Sequence, residues 1–245
     1  MNKLKKIDSL KEKLNNLRPL NKGELERIRE EFIINNTYNS NAIEGNTITL
    51  RETALIINQG VTVEGKPLKD HLDIIGYKDA FEYVTSLVSE NIPLSERVIK
   101  EIHSLVLMND KDNKGTYRKV EVKILGSNAK PSTPSDIAYN INKLLNDYSV
   151  WKKGKHIIQA VSLLHLEFES IHPFIDGNGR TGRLILNLEL MKAGLLPIDI
   201  KFSDKIKYYN CFDSYDLNKN DKDMTDLIIS YEIEELEKYI NLIDK

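Results

Sequence analysis

A mostly helical, all-α fold is predicted for this chain of 245 residues, and two features of the sequence predict it. Apolar residues recur at spacings of three and four along most of the chain, which is the periodicity of a buried helix face. Side chains that cap helix N-termini stand ahead of several of these runs. They are Asn21 with Glu24, Thr49 with Glu52, and Ser95 ahead of the apolar residues between 98 and 105.

Five helices are expected in the C-terminal half. Thr133 and Pro134 open a helix that runs to about residue 152, because proline is favoured at the first helical position. Residues 155–169 place apolar side chains on one face, as a helix packed on a core does. The remaining helices are expected at 179–194, 204–217 and 222–243.

One segment departs from the helical pattern. Residues 120–132 read VEVKILGSNAKPS, in which β-branched residues alternate with charged ones ahead of a Gly, Ser and Asn cluster. Alternation of period two followed by turn residues predicts a β-hairpin. The predicted architecture is therefore a helical bundle with one small exposed hairpin.

Composition excludes several classes of protein. The chain has 35 basic and 37 acidic residues, so the basic surface of a nucleic-acid-binding protein is missing and no direct nucleic-acid partner is expected. Cys211 is the only cysteine, which excludes an internal disulfide and a cysteine metal cluster. Its thiol is expected to fill space, and His165, inside an apolar helix, is expected to be a hydrogen-bonded core residue.

No membrane partner is expected. Residues 1–17 interrupt their apolar positions with Lys, Asp and Glu, so they lack the hydrophobic core of a secretory signal. The most apolar later stretch, 184–200, contains Glu189 and Lys192 and is closed by Pro197, too short and too charged to span a bilayer. A cytoplasmic location is the expectation.

Residues 172–183 read HPFIDGNGRTGR and combine chemistry that a turn alone does not need. A helix that begins near Asn178 leaves its first N–H groups without intrahelical acceptors. Together with the positive end of the helix dipole, these groups form an anion site. Gly177 and Gly179 allow the backbone to approach a phosphate closely, and Phe174 is expected to anchor the loop.

Four charged or ionisable side chains complete the segment. Arg180 and Arg183 can each bind phosphate oxygens. Asp176 offers the hard oxygen ligand that Mg²⁺ takes beside phosphates, and His172, mostly neutral at pH 7, can accept a hydroxyl proton. Each feature alone is more typical of a turn or a solvated helix face. Phosphoryl or nucleotidyl transfer, however, needs a base, a metal ligand and an anion site together.

The segment resembles HxFx(D/E)GNGRxxR, the motif of Fic-domain proteins, at every specified position. Those positions are His172, Phe174, Asp176, Gly177, Asn178, Gly179, Arg180 and Arg183. The resemblance extends to HLEFESIHPF, GTYRKVEVKILG and KYYNCFDSYD and covers roughly residues 70–243. It implies the Fic fold, with N-terminal helices at 1–68 and a catalytic core with C-terminal helices at 69–245.

By that resemblance the activity is protein adenylylation, in which AMP passes from ATP to a hydroxyl of an unidentified target protein and of the chain itself. Mg²⁺ is the implied metal, with Mn²⁺ as a substitute, and a homo-oligomer is compatible with the family. His172 is then the general base and Asp176 the metal ligand. The ATP phosphates are held by Gly177, Asn178, Gly179, Arg180 and, at the γ-phosphate, Arg183.

Two further regions carry roles by resemblance. The segment at 120–132 resembles the flap of the family, which positions the target segment by β-augmentation. The flap residues named by this likeness are Val122, Ile124 and Gly126. Tyr209 and Asp216 fall where the family lines its adenosine pocket.

Residues 40–46, SNAIEGN, resemble the inhibitory motif (S/T)xxxE(G/N) at Ser40, Glu44 and Gly45. Alone, this pattern is an ordinary helix C-terminus. Upstream of a Fic core, it resembles the class with an N-terminal inhibitory helix. Glu44 would then pair with Arg183 and leave the α-phosphate of ATP poorly aligned, which predicts autoinhibition.

Other functions stay open on sequence grounds. A kinase-like branch of the superfamily replaces the glycine-rich turn with a lysine-containing sequence, and Gly179 argues against it, whereas a phosphocholine-transferring branch shares the motif. Glu44 could instead orient a water in a hydrolase that removes AMP from a modified target. The third alternative is a nucleotide-sensing regulator whose transfer activity is incidental.

Overall fold

The structure, a computed structural model, describes residues 3–17, 21–124 and 130–243. Within them it has ten α-helices, one 3-10 helix at Phe202–Asp204 and no strand, which confirms the helical prediction. The α-helices are α1 (Lys3–Asn15), α2 (Lys22–Ile43), α3 (Leu50–Gln59), α4 (Leu68–Ser89), α5 (Glu96–Val106), α6 (Ile137–Gly154), α7 (Ile157–Ile171), α8 (Asn178–Lys192), α9 (Lys205–Asn218) and α10 (Lys222–Ile243). None of the described helices is long and apolar enough to cross a membrane.

The predicted N-terminal caps are present. The side chain of Asn21 accepts a hydrogen bond from the N–H of Glu24, whose carboxylate accepts one from the N–H of Asn21, forming a capping box at α2. Thr49 and Glu52 form the same reciprocal pair at α3, and Ser95 caps α5. Local side-chain chemistry therefore sets where these three helices begin.

Helix α8 runs through the middle of the protein. Twelve of its 15 residues are buried, on all sides rather than along one face, as expected for a helix at the centre of a bundle. It packs against α7, α4 and α5, and it also touches the C-terminal end of α2. Because neighbours hold α8 on every side, its N-terminus is a fixed platform for the loop that enters it.

The N-terminal helices pack on the rest of the protein. Helix α1 lies along α10, where Lys3 pairs with Asp226 at 3.2 Å, and α2 packs on α4. Three side chains from α1 and α2 join the same hydrophobic core as the C-terminal helices: Ile7, Ile33 and Ile43. The division of the chain at residue 68 stays a prediction.

The predicted hairpin at 120–132 does not form paired strands in the part of it that the structure describes. Val122 and Ile124 lie in irregular backbone, and residues 125–129, with Gly126 among them, fall outside the described residues. The physical reason lies at the base of the segment. There the backbone carbonyls are bound by a side chain, Arg118, and not by an opposite strand.

Candidate active site

The loop at 172–177 leads from the end of α7 to the start of α8. His172 has φ 50° and ψ 61°, in the left-handed region, which turns the chain out of α7. Phe174 is fully buried and stacks on the ring of His103, with the ring centroids 3.6 Å apart. The side-chain amide of Asn178 binds both the N–H and the carbonyl of Phe174 at 2.9 Å. These contacts anchor the loop at Phe174.

His103 fixes the same loop from α5. Its Nδ1 accepts a hydrogen bond from the N–H of Gly115 at 2.9 Å, so the ring proton lies on Nε2. That Nε2–H donates to the carbonyl of Asp176 at 2.9 Å. Burial lowers the pKa of His103 to about 4, so this neutral tautomer persists at pH 7. His103 therefore positions the backbone of Asp176 directly.

The glycine pattern predicts an anion site at the N-terminus of α8. Gly177 precedes the helix with φ 77°, and no side chain among the described residues caps it. Its first N–H groups and the positive end of its dipole are therefore available to a negative charge. A carboxylate is already there: a Cβ on Gly179 would collide with Oε1 of Glu44.

Arg183 binds this carboxylate. Its Nη2 donates to Oε1 of Glu44 and to the carbonyl of Ser40, both at 2.8 Å, and its Nε donates to Oγ of Ser40 at 2.9 Å. Its Nη1 lies 3.5 Å from the hydroxyl of Tyr208, which is also 2.7 Å from Nε2 of the buried His165. Every nitrogen of this buried guanidinium thus has a protein partner.

The motif at 40–46 also ends α2. Gly45 has φ 93°, and its N–H donates to the carbonyl of Ala42 at 3.0 Å. The helix terminus and the contact with Arg183 therefore coexist in this short segment. Glu44 is the C-cap residue of α2, and from there its side chain reaches the N-terminus of α8.

The surroundings of His172 favour the neutral form of its imidazole. Burial and then the positive charge of Arg118 lower the pKa of His172 to about 4. Its Nδ1 has no hydrogen-bond partner among the described residues and lies 4.0 Å from Oε2 of Glu169. A neutral imidazole at pH 7 can accept a proton, as a general base must.

Glu169 adds a second carboxyl group to the site. Burial and then the negative charge of Glu44 raise the pKa of Glu169 to about 8, so the group carries a proton at neutral pH. Its Oε1 packs against Gly182 of α8. Of the two carboxyl groups, Glu44 is paired with Arg183 and Glu169 is the neutral one.

Asp176 lies half-exposed at the mouth of the site. Burial alone would raise its pKa, but Arg180, the N–H of Gly177 and Lys69 together outweigh that effect and lower it. The N–H of Gly177 donates to its Oδ1 at 2.6 Å, and Nζ of Lys69 lies 3.6 Å from its Oδ2. An ionised, accessible carboxylate beside a phosphate site is the ligand that Mg²⁺ takes in such sites.

Arg180 is committed to protein partners. Its Nη1 lies 2.8 Å from Oδ1 of the buried Asp73, and its Nη2 lies 3.4 Å from Oδ1 of Asp176. The arginine thus ties α4 to the glycine-rich loop. Like Asn178, it shapes the anion site from behind, and the contribution of both residues to phosphate binding stays a prediction.

The two residues predicted to line an adenosine pocket lie on α9. The hydroxyl of Tyr209 donates to the carbonyl of Ile43 at 3.3 Å, at the end of α2 and next to Glu44. Asp216 accepts a hydrogen bond from Ser170 at 3.4 Å, near the end of α7. Both side chains therefore face segments that lead into the site, and their part in binding adenosine stays a prediction.

Sequence reasoning missed several residues that the fold brings to the loop. They are Lys69, Asp73, His103, Arg118, Glu169 and Tyr208. Most lie far from 172–183 in the chain, so no local pattern marks them. Glu169 is the exception, because it stands three residues before His172 in the stretch HLEFESIHPF. An acid at this spacing from the proposed base could have been noted from the sequence.

The chain matches the model of the Fic/DOC family over residues 93–190. It is 37% identical over 212 residues to a protein adenylyltransferase Fic of Nematostella vectensis, an alignment that covers 84% of this chain and 48% of that protein. A protein adenylyltransferase Fic of Drosophila melanogaster is 33% identical over 214 residues, covering 85% of this chain and 42% of that one. The chain thus spans about half the length of the curated relatives it matches.

A solved structure resembles the whole molecule. It is a Fic-domain-containing signaling protein of Bacteroides thetaiotaomicron, which superposes with a TM-score of 0.87 at 27% sequence identity. The superposition covers 99% of this chain and 97% of that one. The likeness therefore includes the N-terminal helices as well as the helices around the glycine-rich loop.

Proposed function

Since the chain belongs to the Fic/DOC family, we propose that it is a protein adenylyltransferase, which moves AMP from ATP to a side-chain hydroxyl of a target protein. One observation carries the proposal. An anionic group, the carboxylate of Glu44, lies at the N-terminus of α8 and is bound by Arg183, where a phosphate of ATP would lie. His172 and Asp176 lie on the loop that enters this helix.

In this mechanism His172 is the general base. Its neutral imidazole takes the proton of the target hydroxyl as the oxygen attacks the α-phosphorus of ATP. The bond between that phosphorus and the oxygen bridging to the β-phosphate breaks, and pyrophosphate leaves. Because the pKa of His172 is lowered to about 4, nearly every molecule holds the base in its competent form at pH 7.

Asp176 would hold Mg²⁺, and the residues present fit that ion. Its carboxylate is ionised and accessible, and one or two protein carboxylates plus substrate phosphates are the usual ligands of Mg²⁺ in such sites. When bound, the ion neutralises charge on the phosphates of the leaving group.

The proposed regulation is autoinhibition by Glu44. The pair between Glu44 and Arg183 removes the guanidinium that should bind the γ-phosphate, and the carboxylate also fills the anion site itself. Desolvation offsets much of the energy of a partly buried ion pair. Since about 1.4 kcal/mol corresponds to a tenfold change in rate, even a modest net preference for the inhibited state slows transfer measurably.

We further propose that the flap, residues 120–132, receives the target segment as an added strand. The chain itself is among the proposed targets. Residues 121–124 pair with no strand within the described part of the chain, and this supports the role, because backbone N–H and C=O groups without a strand partner can bind an added strand. Tyr209 and Asp216 are proposed to contact the adenosine.

The experiment is a labelling assay with the protein and its Glu44→Gly variant in a cell lysate. ATP labelled with ³²P at the α-phosphate should label proteins, including the chain itself, whereas ATP labelled at the γ-phosphate should not. Label from the γ-position would identify a kinase and contradict the proposal. Nucleotide binding without transfer of either label would favour a nucleotide-sensing regulator.

A further inference from the structure

Arg118 is a buried arginine next to the catalytic loop. Only 4% of its surface is exposed. Its Nε donates to the carbonyl of His172 at 2.8 Å, and its backbone N–H donates to the carbonyl of Pro173 at 3.0 Å. Arg118, a residue outside the motif, therefore holds the backbone at His172 and at Pro173.

The same side chain reaches both ends of the flap. Its Nη1 donates to the carbonyl of Val120 at 2.8 Å, and its Nη2 donates to the carbonyl of Ser132. The N–H of Ser132 in turn donates to the carbonyl of Ile171 at 3.3 Å, the residue before His172. The flap ends and the catalytic loop thus share one set of hydrogen bonds centred on Arg118.

The chemistry of these contacts requires arginine. The Arg118 side chain donates to three backbone carbonyls that lie in different directions. A planar guanidinium with five N–H donors can bind all three together. A lysine ammonium, a compact point donor, cannot span the same three positions. Burial lowers the pKa of Arg118, which shows that desolvation disfavours its charged form. The hydrogen bonds to the three carbonyls offset this cost.

We propose that Arg118 is a positioning residue, which fixes the backbone of His172 to both ends of the flap so that base and bound target segment share one frame. This rests on the proposed function and adds to it a coupling between the flap and the base. His172 needs such support because its left-handed backbone conformation is unfavourable for a residue other than glycine. A hydrogen bond on its carbonyl holds it there.

Arg118 also acts on the imidazole through its charge. Burial is the largest cause of the lowered pKa of His172, and the charge of Arg118 lowers it further, whereas the backbone of Glu169 and the charges of Glu44 and Asp176 raise it. Arg118 is the positive group in this set, so its removal should raise the pKa of His172. If Arg118 served only in packing, its removal would not change the pKa of His172. The pKa therefore distinguishes the proposed role from an effect on stability alone.

The experiment compares Arg118→Gln, Arg118→Lys and Lys119→Gln. Transfer is measured in the Glu44→Gly background, and the pKa of His172 is followed by NMR in the otherwise wild-type protein. Lys119 is the matched control, because it is the exposed neighbour and loses the same charge. We expect Arg118→Gln to raise the pKa of His172 by at least about 0.5 unit and both Arg118 variants to lower kcat by about 10- to 100-fold, with the Kd for ATP unchanged.

Lysine keeps the positive charge but lacks the planar set of N–H donors. Arg118→Lys should therefore keep the pKa of His172 near its wild-type value while kcat falls. Lys119→Gln should change neither. Full activity in Arg118→Lys would overturn the proposal, as would a pKa of His172 unmoved in Arg118→Gln. If Arg118→Gln does not fold by circular dichroism, Arg118→Lys alone decides through kcat. If the parent protein transfers no AMP, the proposed function fails, and the NMR titration still tests the action of Arg118 on His172.

Discussion

The carboxylate of Glu44 lies 2.8 Å from Nη2 of Arg183, across the N-terminus of the central helix α8. The two residues are 139 positions apart in the sequence and lie on different helical segments. Their contact joins the end of helix α2 to the anion site. The proposed regulation depends on this one ion pair.

Glu44→Gly should raise AMP transfer at least about tenfold, since it frees both Arg183 and the space above Gly179. The rate is measured with α-labelled ATP. Glu52→Gly, which removes a partly exposed acid from the capping box of α3, is the control and should not activate transfer. In Glu44→Gly/Arg183→Ala the gain should largely disappear, because both residues act through one contact.

Two results in that assay would change the interpretation. A Glu44→Gly protein no faster than wild type would mean that 40–46 is only a helix end or that another element restrains the enzyme. Loss of an AMP-removing activity in the same variant, with target labelling increased, would indicate a hydrolase in which Glu44 orients water.

His172→Ala should abolish transfer and leave ATP binding largely intact, because the imidazole acts on the target hydroxyl and not on the phosphates. Transfer and the Kd for ATP are measured on the same preparation. His156→Ala, at the opposite end of α7, is the matched control. Equal labelling by the His172 variant would exclude it as the base, and loss of both binding and transfer would assign it a structural role.

Asp176→Asn should weaken Mg²⁺-dependent ATP binding and stop transfer, since an amide brings no negative charge to the ion. ATP affinity is titrated at increasing Mg²⁺. Asp112→Asn, at an exposed position outside the loop, should behave as wild type. An unchanged Mg²⁺ dependence in the Asp176 variant would remove this residue from the metal site.

Glu169→Gln should make the free energy of unfolding less dependent on pH. The pKa of Glu169 is raised from 4.5 to about 8, so the folded protein binds this proton more tightly than the unfolded chain. The wild type must therefore lose stability relative to the variant as pH rises from 4.5 to 8. At pH 8 the variant should be more stable by at least about 1 kcal/mol.

Urea unfolding at pH 5 and pH 8 measures this difference. Glu167→Gln, on the same helix, is the control for the loss of a carboxylate. A Glu169→Gln protein whose stability relative to wild type is the same at both pH values would mean that Glu169 is ionised in the folded state.

The helices and the start of α8 at Asn178 could be predicted because their causes are local. Capping boxes at Asn21 and Thr49 and the glycine pattern around Asn178 each act within a few residues. The surroundings of the loop could not be predicted in the same way. Arg118 and Asp73 reach it from elements that only tertiary packing brings near.

Two structural details could not be predicted from a sequence motif. Asn178 uses both ends of its amide to hold Phe174, a geometry that depends on how the loop turns. The alternation in residues 120–124 predicted a strand, but a strand also needs a partner. The carbonyl of Val120 is instead bound by the side chain of Arg118.

Gly179 leaves room for the Glu44 carboxylate and for the proposed substrate in the same way. A side chain at this position would collide with the Glu44 carboxylate, and it would equally obstruct a phosphate at the start of α8. A substitution at Gly179 is therefore expected to disturb the phosphate site together with the contact of Glu44. Mutations that would separate the proposed autoinhibition from transfer are therefore expected in α2 and at its end, where Glu44 lies, and not at Gly179.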